Sequence, residues 1–310
     1  MTNRGPGAPD SRPNPKSACA LQICERHFLA RADYRGRMVS RITKDTRLCI
    51  SLSGRPSNIG TRFHNHLYEE LGLDYIYKAF RPTDIEDAVA GIRGLGIRGA
   101  GVSMPFKEAV LPLVDVLHDS ARAIESVNTI VNDDGILHAY NTDYQAVVDL
   151  LAEHAVDPAL PVTVAGSGGM AKAVTAALRH SGFTSGTVVA RNEATGRALA
   201  QKYGYTWRAE ATDPAPGLLV NTTPLGMAGG GGDSEAMPFP ADVVQSASAV
   251  FDVVAVPPDT PLVRTARQSG ITTITGDEVI ALQAALQFEL YTGVRATPEQ
   301  VRRASAYSRA

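Results

Sequence analysis

The sequence is poor in several things that would announce a function. It has three cysteines, Cys19, Cys24 and Cys49. An odd number without metal-ligand spacing argues against a disulfide framework and a zinc site, and fits a reducing cytoplasm. It has no excess of one charge: 30 Lys and Arg against 32 Asp and Glu leave a net charge of −2. Neither a nucleic-acid backbone nor an anionic membrane finds a basic surface to bind, so neither is expected as a partner. No apolar run approaches transmembrane length. The seven histidines show no H-x-x-x-H or other metal spacing, and no G-x-S-x-G elbow occurs, which removes the main support for metal-assisted and serine-hydrolase chemistry. No repeat of solenoid period is visible. What is left is a plain globular composition, 44% hydrophobic and 20% charged over 310 residues, long enough for two ordinary domains with separate cores.

Residues 1–43, opening MTNRGPGAPDSRPNPKS, carry too little apolar surface to offset the entropy of ordering, and are expected to form a disordered or weakly ordered tail. Their arginines invite comparison with a targeting peptide, yet no continuous apolar stretch follows them. Met38 offers an alternative start of translation.

From Leu48 onward, short β-branched or apolar runs alternate with helical patterns, the signature of βαβ units and a largely parallel sheet. Strands are predicted over 48–52, 74–79 and 99–103, helices over 61–71 and 85–95, and a further helical stretch over 110–117. Runs at 127–131 and 136–140 flank Asp133-Asp134-Gly135, a hairpin signal. Asn141-Thr142-Asp143 then opens another helix with a capping residue. The polar segment Val156-Asp157-Pro158 reads as a linker. Beyond it lie strands at 161–165, 186–190, 217–221 and 249–253. The expected organisation is an α/β substrate-binding catalytic domain over 44–154, a Rossmann-type dinucleotide-binding domain over 155–277, and C-terminal helices at 279–291 and 298–306 within 278–310 that return to the first domain.

The most informative stretch is VTVAGSGGMAKA, Val162 to Ala173. A β-branched run ends in a glycine cluster and passes directly into a helix-forming segment, which is how a Rossmann sheet offers backbone N–H groups and a helix N-terminus to a pyrophosphate. Gly166-x-Gly168-Gly169-x-Ala171 is tighter than the usual pattern, and glycine also ends strands for steric reasons. Arg191 stands at the end of the following strand, where NAD enzymes carry an acid for the ribose hydroxyls. A guanidinium there suits the extra phosphate of NADP, while Glu193 keeps NAD open, as does the reading of Arg191 as an ordinary surface residue.

Two further residues invite a chemical reading. Lys107 follows Pro105-Phe106 at the C-terminal end of a strand, where α/β folds place ligands, and an ammonium in such a cleft can pass a proton to a carbonyl. The alternative is a solvated lysine in a helix's first turn. Asp143 sits where a helix dipole favours a carboxylate, which alone explains it; facing a lysine, it would complete an acid/base pair. His64 and His66, two apart on a helix, point to different faces and read as packing or solvent residues.

Taken in order, GRPSN and then His64-Asn65, VSMPFK at 102–107, ESVNT at 125–129, AYNTD at 139–143, GSGGMA, NTTPLGM at 221–227, FDVV, and Gln283-Ala284-Ala285 with Phe288 resemble the shikimate dehydrogenase family, in particular its divergent shikimate dehydrogenase-like branch. The resemblance runs from about Leu48 to Gly293. It implies a two-lobed α/β enzyme that reversibly reduces 3-dehydroshikimate to shikimate with NADPH, NADP being preferred to NAD. Lys107 and Asp143 would match the catalytic pair, and Ser103, Asn128 and Gln283 the substrate-binding positions. Gly166, Ser167, Gly168, Gly169 and Met170 would match the pyrophosphate loop, Arg191 with Asn192 the nucleotide phosphate site, and Val253 and Gly276 the surroundings of nicotinamide.

The family's paired serines before His-Asn, which hold the substrate carboxylate, are replaced by Asn58 and Gly60; Asn58 and Thr61 are the available substitutes. Ala255 replaces a substrate-contacting tyrosine and Gly101 an asparagine. Losing hydrogen bonds to a charged ligand costs about 1.5–3 kcal/mol each, so turnover of shikimate is expected to be slow. Two alternatives follow: a dehydrogenase of quinate or a related cyclitol or amino-substituted acid, and a non-catalytic protein that binds NADPH or shikimate and regulates. The expected assembly is a monomer or homodimer.

Overall fold

Two six-stranded sheets organise the chain. The computed structural model describes residues 1–2, 42–210, 216–229 and 233–310. The expected tail, with Cys19, Cys24 and Met38, lies largely outside the described residues, and both sheets belong to the unit formed by Ile42–Ala310.

In chain order the first sheet and its helices comprise β1 (Arg47–Leu52), α1 (Ile59–Glu70), β2 (Tyr75–Phe80), α2 (Ile85–Gly94), β3 (Gly99–Val102), a short β4 (Val116–Leu117), α3 (Asp119–Arg122), β5 (Thr129–Asp133), β6 (Ile136–Tyr140) and α4 (Thr142–Glu153). The strand order is β2-β1-β3-β5-β6-β4. It is a mixed sheet rather than a largely parallel one, because β3 pairs with β5 and β5 with β6 in antiparallel register. The hairpin falls where the Asp-Gly signal puts it: Asp133 pairs with Ile136, and Asp134 and Gly135 both take positive φ (51° and 92°), as a two-residue I′ turn requires. One expectation fails. Residues 110–117 do not form a helix but a single 3₁₀ turn at Leu111–Leu113 followed by β4. Pro112 cannot donate into a helical ladder, and Val116 and Leu117 gain strand pairing with His138 and Ala139 instead.

The second set comprises β7 (Val162–Ala165), α5 (Gly169–His180), β8 (Gly186–Val189), α6 (Glu193–Tyr203), β9 (Thr206–Arg208), β10 (Leu218–Asn221), α7 (Ala241–Gln245), β11 (Ala249–Asp252), α8 (Pro261–Gln268) and β12 (Thr272–Ile274), followed by α9 (Gly276–Thr292) and α10 (Pro298–Arg309). Its order is β12-β11-β10-β7-β8-β9, all parallel. Numbered from β7 this is 6-5-4-1-2-3, the doubly wound arrangement whose strand order reverses beside β7. Helix starts are set locally. Asn141 accepts from Tyr144 N, Asn192 from Thr195 N, and Thr260 from Val263 N, while Thr275 with Glu278 and Thr297 with Gln300 form capping boxes. No described helix is long and apolar enough to cross a membrane.

Helix α4 buries Ala146, Val147, Leu150 and Leu151 in a core shared with α5 and with Val279 of α9. Each buried valine or leucine contributes roughly 1.5–3 kcal/mol, which holds α4, and hence its first turn, against α5 and α9. The far helix α10 lies against α1, joined by an Arg303–Glu70 ion pair of 2.7 Å.

The core between the first sheet, α1 and α9 holds an imidazole. His64 is 1% exposed and stacks on Tyr77 at 4.3 Å, with Phe63, Phe288 and Tyr291 around it. Burial pushes its pKa down to about 3. The folded protein therefore binds fewer protons here than the unfolded chain, whose histidine titrates near its ordinary value of 6.5. Stability from this site is intact above pH ~6.5 and falls below it at about 1.4 kcal/mol per pH unit, so roughly 2 kcal/mol is lost by pH 5. His64→Phe is expected to remove that share of acid sensitivity, read from urea unfolding at pH 7 and pH 5; carboxylates depressed by their partners, such as Asp115 beside Arg93, remain in both proteins and cancel. An unchanged pH dependence in the variant would disprove it.

Candidate active site

Lys107 and Asp143 meet. The ammonium donates to Asp143 Oδ2 at 2.6 Å, with the lysine side chain 28% and the aspartate 14% exposed. On sequence grounds each has a solvated or capping alternative, and the pair is what forms. Each is held by its element. Asp143 lies in the first turn of α4, after the cap at Asn141. Lys107 is in the turn that follows β3, and its carbonyl accepts from Val127 N at 2.9 Å.

Around this pair the chain gathers two more of the expected residues. Asn128 is 3% exposed: its Oδ1 accepts from Thr142 N (2.8 Å) and Thr129 Oγ1 (2.8 Å), and its Nδ2 donates to Thr142 Oγ1 (2.9 Å). These bonds hold the start of α4. Gln283, on α9, accepts from Thr142 Oγ1 at 3.4 Å. Ser103 precedes the lysine turn, its N–H on Leu52 O and the residue exposed. Asn58 and Thr61 lie at the start of α1. Asn58 occupies the cap position of α1 without a side-chain cap bond, and among the described residues neither side chain is hydrogen-bonded to the Lys107 cluster. Ala255 is buried.

A cavity of about 880 Å³ opens at the C-terminal ends of β7, β8 and β10, lined by Gly166, Ser167, Gly168, Arg191, Asn192 and Thr222 among others. This is the switch point of the doubly wound sheet. Gly166 has φ +115°, and a Cβ there would lie 2.4 Å from Thr222 Oγ1, so only glycine lets the chain turn into α5. At Gly168 and Gly169 the Cβ direction is open, which leaves the N-terminus of α5 free for the close approach of a phosphate. Asn192 lines the cavity while capping α6. Gly169 and Met170 are the first residues of α5. Val253 and Gly276 are not among the residues lining the cavity, but they touch each other closely: a Cβ on Gly276 would lie 2.4 Å from Val253 O.

Sequence reasoning missed several contributors. Glu210 lines the same cavity as Arg191. Asp252, fully buried, accepts from Asn221 Nδ2, Val254 N and Thr260 Oγ1, and burial raises its pKa. Asn221 in turn accepts from Thr223 N and Oγ1, which shapes the Thr222–Leu225 wall of the cavity. The motifs NTTP and FDVV carried these residues; their partnership, 31 positions apart, has no local signal.

Residues 58–130 match the model of the shikimate dehydrogenase substrate binding domain. A shikimate dehydrogenase-like protein of Haemophilus influenzae is 53% identical over 268 residues, covering 86% of this chain and 98% of that protein. A shikimate dehydrogenase (NADP(+)) of Rubrobacter xylanophilus is 35% identical, with the same coverage of 86% and 98%. The chain belongs to the shikimate dehydrogenase family. Among solved members, the Thermus thermophilus shikimate 5-dehydrogenase in complex with NADP(H) and shikimate superposes with a TM-score of 0.73 at 29% identity, covering 84% of this chain and 99% of that one. As in other shikimate dehydrogenases, the architecture is two-lobed, an α/β substrate domain with a Rossmann-type domain.

Proposed function

We propose that this chain is an NADP-dependent oxidoreductase that reversibly reduces 3-dehydroshikimate to shikimate. The observation that carries the reading is the 2.6 Å Lys107–Asp143 pair, a proton donor held by a carboxylate, in a chain that also carries a pyrophosphate-type glycine loop at its sheet's switch point. The donor set fits the cofactor: free N–H groups at the start of α5, open space over Gly168, and Arg191 at the strand end. NADPH, when bound, supplies the hydride. Lys107 gives a proton to the ketone oxygen as negative charge develops there, and takes it back from the hydroxyl in the oxidative direction. Asp143 fixes the direction of the Nζ–H bond. Ser103, Asn128 and Gln283 orient the ring, with Asn58 and Thr61 facing the carboxylate.

A second reading, oxidation of quinate or a related cyclitol or amino-substituted acid, is favoured by one feature. At Gly60 there is no hydroxyl, and its nearest neighbour is the Tyr77 ring, 3.7 Å from where a Cβ would stand. The carboxylate is thus held less directly than in relatives with paired serines. Steady-state oxidation of shikimate and quinate with NADP and NAD tests both. Shikimate with NADP is expected to be the productive combination, with slow turnover. No reduced cofactor above the blank at millimolar acid would refute the proposal. Arg191→Ala is expected to weaken NADPH binding about 10–100-fold, the loss of charge-assisted hydrogen bonds to a phosphate, while changing NADH binding less than about threefold, as read by fluorescence titration. Equal losses for both cofactors would remove Arg191 from the phosphate site.

A further inference from the structure

Residues 127–129 form the bridge between the two halves of the catalytic pair. Val127 N holds the carbonyl of Lys107. Asn128 O accepts from Val102 N at 2.7 Å, at the end of the strand from which the lysine turn departs. Asn128 Oδ1 accepts from the N–H of Thr142, immediately before Asp143. Whatever sets this segment sets the distance from ammonium to carboxylate.

One side chain from elsewhere in the chain grips it. Gln287, on α9, is 7% exposed, and its Nε2 donates to Asn128 O at 3.1 Å and to Thr129 Oγ1 at 2.9 Å. Thr129 Oγ1 passes the bond on to Asn128 Oδ1 at 2.8 Å. Beside it, Tyr77 Oη stands 2.8 Å from where a side chain at Gly101 would begin, so β3 brings no competing group of its own. One helical turn before Gln287, Gln283 touches Thr142. Further back along the same helix, Gly276 is packed against the Val253–Val254 backbone of the second sheet.

We infer that Gln287 is a positioning residue, and that α9 acts as a strut that carries the end of the Rossmann sheet at Gly276 into register with the Lys107–Asp143 pair. The inference rests on the proposed dehydrogenase reading for its kinetic consequence only. Gln287 touches neither substrate nor cofactor in this scheme; its amide keeps Asn128 O, Thr129 and the start of α4 in one arrangement. A hydrogen-bonded amide is suited to this task because it has two donor hydrogens, one for each acceptor.

The test compares Gln287→Leu and Gln287→Glu with the wild type in the full chain. Leucine keeps the volume and removes both donors; glutamate keeps the length and sets an acceptor against Asn128 O. Turnover of shikimate is expected to fall about tenfold for leucine and further for glutamate, with the NADPH dissociation constant within about twofold of the wild type. Adding Thr129→Val to Gln287→Leu should cost less than the two single effects combined, since both cut the same path. In two-dimensional NMR the Asn128 side-chain amide and Thr142 N–H should shift and exchange faster in Gln287→Leu, a readout that needs no turnover. Loss of thermal stability alone, with turnover and those signals unchanged, would overturn the inference while leaving the dehydrogenase reading in place. A wild type inert toward both acids would sink that reading, and the NMR comparison would still decide the role of Gln287.

Discussion

Lys107→Ala is expected to lower shikimate turnover by about 10²–10⁴-fold, the range spanned by loss of a positioned proton donor, which corresponds to about 2.7–5.5 kcal/mol of barrier. The reason is geometric. Asp143 Oδ2 takes the ammonium at 2.6 Å, and among the described residues no other cation is paired with that carboxylate. The variant leaves Asp143 half-enclosed without its partner but changes nothing in the glycine-loop cavity, so NADPH affinity should stay within a factor of about two. Lys107→Arg should not restore the rate, because a guanidinium releases its proton far less readily and is planar where the ammonium is compact. Rates within about threefold of the wild type in Lys107→Ala would take the lysine out of the mechanism; parallel loss of NADPH binding would mean that the change had disturbed more than the pair.

A single methyl group at Gly276 should be among the most damaging small changes in the second lobe. Its Cβ would stand 2.4 Å from Val253 O and from Val254 C, and 2.5 Å from Val253 C. These are backbone atoms just beyond β11, so no rotamer change relieves the contact; helix α9 or the segment after the strand must move. Overpacking of this kind costs about 1–3 kcal/mol or more, and in a protein of this size each kcal/mol lowers the melting temperature by roughly 2–4 °C. Because the displaced Val253–Val254 segment lies where nicotinamide is proposed to bind, NADPH affinity should fall at least about tenfold as well. Gly168→Ala supplies the contrast. Nothing in the protein lies within 4 Å of the added carbon, so stability should hold while NADPH affinity falls, the methyl group occupying space that only a ligand needs. A thermal scan and a fluorescence titration on both variants check this. Unchanged melting in Gly276→Ala, or unchanged affinity in Gly168→Ala, would contradict the respective argument.

The parts of this molecule that were legible from sequence are those decided within a few residues. Asp134-Gly135 tolerates the positive φ that a tight hairpin needs. Asn141 reaches the N–H three residues on, and Gly166 turns a strand into a helix. Stretch 110–117 shows the limit of the same reasoning. Its apolar spacing suits a helix, but Pro112 and the free edge of β6 decided otherwise, and an edge offered by residues 136–140 is invisible from within the stretch. Helix α9 starts at Gly276 rather than at 279, because the capping box of Thr275 and Glu278 lies upstream of the first clear apolar period.

The sequence by itself settled the alternation of strands and helices, the hairpin, the caps, the glycine loop and the order of the family's motifs, since each depends on dihedral preferences and hydrogen bonds among near neighbours. Tertiary structure decided which of those motifs meet. Lys107 and Asp143 are 36 positions apart and Gln287 is 159 from Asn128. Their contacts exist because the register of β3 on β5 and the packing of α4 against α9 hold the segments together. Burial of a shared core offsets the entropy of closing such long loops.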